Sequence, residues 1–289
     1  MSLDPLTLPG SAASAETKAL AQRKRPTWQT VLALGLLAAI IMGAALSGEA
    51  RPDLTASGAA PPSLAHPFGS DPLGRDMLVR TVQGLGLSLR VGLIAALISG
   101  VISLLLAVAA AVGGRAADAV VSFFVDMTMG LPHLVLLVLI CFALGGGTFA
   151  VITSVALTHW PRLARVLRAE MLQVLSSDYV AASRGFGRSW AFIARRHLLP
   201  HILPQWSVGT LLLFPHAILH EAGLTFLGFG LEPGRPAIGV MLAESMRSLT
   251  AGNWWLGVFP GAALLALVLA FDGVAGGLHR WLSPRAERG

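Results

Sequence analysis

With 289 residues, 54% of them hydrophobic and 12% charged, the chain is far more apolar than a soluble domain, where about 25% of residues carry charge, and it suits about six membrane spans with one sizeable loop. Its net charge of +6 comes from arginines beside apolar runs without interleaved aromatics, which argues for a membrane-lipid surface and against nucleic acid. The single cysteine, Cys141, excludes an intramolecular disulfide framework, and neither Lys18 nor Lys24 follows a glycine, so a phosphate-cradling loop is absent and no cofactor is expected on this chain.

In chain order, residues 1–27 mix Pro, Ser, Ala and charges and read as a disordered cytoplasmic tail. Trp28 to Leu46 is the first span; Ala44-Ala45-Leu46-Ser47 is a weak cleavage site, so a retained anchor is expected. Residues 28–84 comprise this anchor and an extracytoplasmic segment, 85–277 the membrane core, and 278–289 a cytoplasmic tail. Between His66 and Leu93 the alternating charges of Asp71, Arg75, Asp76 and Arg80 suit an interfacial element leading into the uncharged span Val91 to Val112. A turn at Gly113-Gly114-Arg115 precedes Ala119 to Leu144, a span carrying Asp126 and kinked near Pro132. After Gly145-Gly146-Gly147, a fourth span starts at Thr148, and beyond Trp160 it runs on through Arg162, Arg165 and Arg168. Trp206 to Phe229 and Trp254 to Phe271 are the last two spans.

A loop at about 171–204 separates the fourth and fifth spans. Its polar stretch, Ser176 to Pro204, reads as two short helices: Ser176 or Ser177 caps the first, Gly185 and Gly187 break the pattern, Ser189 caps the second, and Pro200 and Pro204 end it. Arg184, Arg188, Arg195 and Arg196 make this island basic and keep it out of hydrocarbon. Six spans place this loop and both termini together. That side collects 15 of the Lys and Arg residues against 6 opposite, so positive-inside bias makes it cytoplasmic.

Ionisable groups within the spans are Asp126, His133, His159, His216, His220, Glu221 and Asp272; each is expected to face the bundle interior or a cavity. His216 and His220, at i and i+4, can share a metal ion with Glu221 as a third ligand, or can be hydrogen-bonded packing residues. His220-Glu221 lacks the second histidine of H-E-x-x-H, and no G-x-S-x-G elbow occurs, so an enzyme is not expected.

Two motifs resemble one family. Ala181-Ala182-Ser183, Gly187, His197 and Leu199-Pro200 fall in register with the Glu-Ala-Ala loop of binding-protein-dependent ABC importer permeases, with Ala181 replacing Glu and His197 replacing Ile. Gly69-Ser70-Asp71 through Leu73-Gly74-Arg75-Asp76 resembles the "GTDxLGRD" signature of the second permease of dipeptide, oligopeptide and nickel importers. The resemblance implies an all-α, six-helix permease with a cytoplasmic coupling-helix loop. It further implies a homologous second permease as heterodimer partner, two cytoplasmic ATPases that carry the ATP and Mg, and an extracytoplasmic solute-binding protein. Ala181, Ala182, Ser183, Arg184, Gly185, Gly187, Leu199 and Pro200 would form the coupling loop. His216, His220 and His159-Trp160 resemble the nickel-importing branch, whereas Glu221-Ala222 resembles the peptide-importing one. The rival class is a secondary transporter or channel relaying protons or metal through Asp126, Glu221 and the histidines.

Overall fold

Hydrocarbon offers no hydrogen-bond partner to a free backbone N–H or C=O, so a spanning chain closes its bonds within helices. The computed structural model describes residues 28–47, 58–232 and 234–282, and its regular elements there are all helical. Expectations for the tail 1–27, for Arg51, and for Arg285 and Arg288 lie outside the described residues.

Helix α1 spans Trp28–Leu46, α2 Met77–Val112, α3 Gly114–Gly130, α4 His133–Ala143, α5 Gly147–Leu175, α6 Asp178–Gly185 and α7 Trp190–Ile193. A π turn, Ala194–Leu198, leads into α8 Leu199–Phe226; α9 Ile238–Leu249 and α10 Trp255–Leu282 complete the described chain. By length and apolarity four helices can cross a bilayer, or five if α3 and α4 form one broken span. The expected fourth span, α5, carries Arg162, Arg165, Arg168 and Glu170 in its second half and is not among these.

Several boundaries differ from expectation for local reasons. Helix α2 starts at Met77 rather than near Val91, because the Asp76 carboxylate accepts from the Leu78 and Val79 N–H groups and caps it there. The kink near Pro132 is a break: α3 and α4 meet at 97°, since Leu131 takes an extended conformation before the proline. Pro200 and Pro204 do not end the loop's second helix. Leu199 N–H bonds to the Ala194 carbonyl five residues back, and after this wide turn the helix continues through both prolines into α8.

Helix α2 is the central strut, packed chiefly on α5 and α8. Its inward face is small: Ser88, Ala95, Ala96, Ser99, Gly100, Ser103 and Ala107 are buried. A Cβ at Gly100 would sit 2.5 Å from Thr210 Oγ1 of α8, and the Trp206 indole N–H donates to the Gly100 carbonyl at 2.8 Å. Between helices in lipid, such close backbone approach and hydrogen bonding supply the attraction that hydrophobicity cannot. Leu93, Leu97 and Leu105 on the outer face are exposed, as lipid contact requires.

Candidate functional site: a helical hairpin and an imidazole cluster

The loop after α5 folds as a hairpin whose two faces differ. Val180, Ile193 and Leu198 are buried in one apolar cluster with Ala107 of α2 and Leu163, Leu167 and Met171 of α5. Ala181, Ala182, Arg184, Gly185, Gly187 and Pro200 are exposed, Ser183 and Leu199 half-buried, and Phe186 at the tip is 85% exposed. The hairpin is therefore rigidly footed on α2 and α5 and presents an unpartnered outer surface.

Its turn is a Schellman motif. Gly187 N–H bonds to the Arg184 carbonyl and Arg188 N–H to the Ser183 carbonyl, with Gly187 at φ +74°, where a side chain is strained. Gly185 is an ordinary helical residue. Ser189 caps α7 as expected, accepting from Phe192 N–H at 3.2 Å. Ser177 occupies the α6 cap position, but its hydroxyl donates backward to the Val174 carbonyl at 2.6 Å, and Ser176 donates to Gln173; neither hydroxyl caps α6. Arg184 lies over the Trp190 ring at 4.3 Å and donates to the Arg188 carbonyl at 2.7 Å; Arg188 lies over Phe192 at 4.8 Å. The arginines thus brace the hairpin's two arms.

His216 and His220 are not brought together as a ligand pair. His216 is exposed and donates through Nδ1 to the Leu212 carbonyl. His220 donates to the His216 carbonyl at 2.7 Å, and its ring instead meets His133 of α4 and His159 of α5. The three ring centroids lie 4.7 to 5.0 Å apart, and one ring nitrogen from each lies within 4.8 Å of the others. The 97° break at Pro132 is what turns the first residue of α4 into the bundle. His159 is buried, donates through Nδ1 to the Val155 carbonyl at 2.9 Å, and has no protein partner at Nε2. A buried nitrogen left so costs about 1–3 kcal/mol.

The other intramembrane candidates separate. Glu221 is fully buried beside the core of α8 and accepts from the Thr225 hydroxyl at 3.1 Å; that oxygen in turn accepts from Leu231 N–H. Glu221 is not in the histidine cluster. Asp126 and Asp272 are exposed, contrary to an interior placement, and Asp126 pairs with Arg165 at 2.6 Å. Nearby, Arg168 holds Asp118 through two bonds, Nε to Oδ1 and Nη2 to Oδ2. These pairs tie α3 to the charged half of α5, so Arg165 and Arg168 meet carboxylates rather than lipid.

At the opposite end, Asp71 is buried and accepts from the backbone N–H of Leu73 and Arg75 and from the Arg75 and Arg80 guanidiniums. Arg80 also reaches Glu244 of α9 at 3.0 Å. The charge spacing in the sequence signals this knot, but Glu244, 164 residues away, carries no local signal. Trp255 donates to the Ser70 carbonyl and fastens α10 to the same turn.

An all-helical bundle with small-residue interfaces and a rigid basic hairpin at one end is the form of a transporter's membrane subunit. Residues 75–288 match the family of binding-protein-dependent transport system inner membrane components, and the chain belongs to that family. It is 34% identical over 228 residues to the dipeptide transport system permease protein DppC of Bacillus subtilis, across 79% of this chain and 71% of that protein. It is 39% identical over 238 residues to a Brucella ovis protein provisionally named a peptide permease, across 81% of this chain and 78% of that one. A crystal structure described as an amino acid ABC transporter with histidines shares the fold: TM-score 0.55, 19% identity, 70% of this chain and 93% of that chain. The chain is a multi-pass inner-membrane permease subunit of an ABC importer, a transport protein and not a catalytic enzyme.

Proposed function

We propose that this subunit forms half of a pathway for short peptides, beside a homologous second permease, and receives force through the 178–198 hairpin. The observation that carries the coupling role is the hairpin's asymmetry: Val180, Ile193 and Leu198 lock its foot into the bundle while Ala181, Ala182, Arg184 and Phe186 are exposed on its outer surface. A rigid lever with a bare outer surface transmits the closing motion of two ATPase subunits, where ATP and Mg reside, into the spans. The peptide cargo rests on the relatives' names, and an extracytoplasmic binding protein would deliver it. Residues 1–27 and 278–289 then lie with the hairpin on the cytoplasmic side, flanking the anchor region 28–84 and the core 85–277. Asp126, exposed and ion-paired, is poorly placed for the relay that a secondary transporter would need.

The test uses the whole complex in proteoliposomes. Phe186→Asp on the exposed tip should leave assembly intact but abolish ATP-driven uptake of a labelled dipeptide. Wild-type uptake in that variant, or uptake with no ATPase present, overturns the coupling role. A metal or metal-chelate cargo is the second reading, favoured by the imidazole cluster; nickel uptake in place of dipeptide uptake would select it.

A further inference from the structure

The three imidazoles come from separate helices and from positions 133, 159 and 220, so no local sequence pattern obliges them to meet. Apolar packing alone would bring carbon surfaces together. Here three rings converge edge to face, and one ring nitrogen of each lies within 4.8 Å of the other two. His159 is only 8% exposed, yet its Nε2 has no partner within the protein.

The hydrogen bonds also fix which nitrogens are free. A backbone carbonyl can only accept, so Nδ1 carries the proton in His159 (to Val155) and in His220 (to His216). His159 and His220 therefore keep their lone pairs on Nε2, the arrangement that orients and strengthens a metal-binding imidazole. No carboxylate belongs to the group. Neutral nitrogen donors select a borderline transition ion such as Zn2+ or Ni2+ and disfavour Ca2+ or Mg2+, which take oxygen.

We infer that His133, His159 and His220 form a three-nitrogen binding site for one divalent transition-metal ion, clamped between α4, α5 and α8. Were the nitrogens at the full 4.8 Å separation, an ion at their centre would lie about 2.8 Å from each, about 0.7 Å beyond a Zn–N bond. Small rotations of the rings close that gap. Three protein donors leave a fourth position open to water or to a ligand group. Occupancy joins three helices, including both a half-span that ends at the Pro132 break and the helix that rises from the hairpin, so the ion bears on their relative motion. The site does not depend on which cargo the importer carries.

The experiment is equilibrium dialysis of the intact, tag-free complex against Ni2+ or Zn2+, with bound metal counted by elemental analysis. Wild type should hold one ion per chain. His133→Gln, His159→Gln and His220→Gln should each weaken binding at least about tenfold, whereas His216→Gln should bind as wild type does. Equal binding in wild type and the triple variant, or an equal loss in His216→Gln, overturns the site. X-ray absorption of the metal-loaded wild type needs no variant to fold: a shell of imidazole nitrogens supports the assignment, and a shell without them overturns it.

Discussion

Ser183 Oγ lies 3.1 Å from His197 Nε2, joining the first arm of the hairpin to the π turn at the end of the second. In the motif resemblance, Ser183 falls at the second alanine and His197 at the isoleucine. The serine and the histidine, 14 residues apart, are joined in one contact. His197 also packs against Tyr179 and Phe192, so its ring replaces the bulk of isoleucine while its nitrogen finds a partner. Ser183→Ala and His197→Ile should each destabilise the complex, and the double variant should recover part of the loss. A coupling of about 1 kcal/mol in thermal unfolding is expected; strict additivity would show that the two side chains act independently.

The two glycines of the hairpin should respond oppositely. Gly187→Ala forces a side chain into the left-handed region and should cost about 1–2 kcal/mol, and Gly187→Val more. At Gly185, a Cβ meets nothing within 4 Å on an exposed helical residue, so Gly185→Ala should stabilise by up to about 1 kcal/mol. ATPase stimulation in the reconstituted complex should fall for Gly187→Val and stay for Gly185→Ala. The reverse order would place the hinge elsewhere.

The two ion pairs between α3 and α5 should differ in weight. Asp118 and Arg168 are 32% and 29% exposed and doubly bonded, whereas Asp126 and Arg165 are 70% and 51% exposed and singly bonded. Asp118→Ala should cost about 1–2 kcal/mol, and Asp126→Ala less than about 0.5 kcal/mol. Unfolding of the purified complex in detergent, read by tryptophan fluorescence, ranks them. An equal loss at both positions would mean that exposure does not set the balance.

At the other end, Arg80 is the only link on the described residues between the buried Asp71 and Glu244. Removing it strips one cation from a carboxylate that is itself 2% exposed. Arg80→Ala should cost about 3 kcal/mol. Arg80→Lys should recover only part, because one ammonium does not reach two carboxylates as a guanidinium fork does. A Lys variant as stable as wild type would reduce the knot to simple charge balance.

What the sequence determined alone was what short-range chemistry encodes. Hydropathy over about 20 residues marks a helix that must sit in lipid, and the Gly-rich turns at Gly113 and Gly145 mark where it leaves. The family motifs place the hairpin and the Asp71 turn, because both are built from residues close together in the chain. Tertiary structure decided which side chains meet across helices. An i, i+4 pattern put His216 and His220 on neighbouring turns of α8, but a right-angle break at Pro132 and the packing of α5 chose His133 and His159 as the rings His220 faces. The same packing left Asp126 outside with Arg165 and drew Glu244 to Arg80. Periodicity states the face a residue occupies; only the crossing of helices states what stands opposite it.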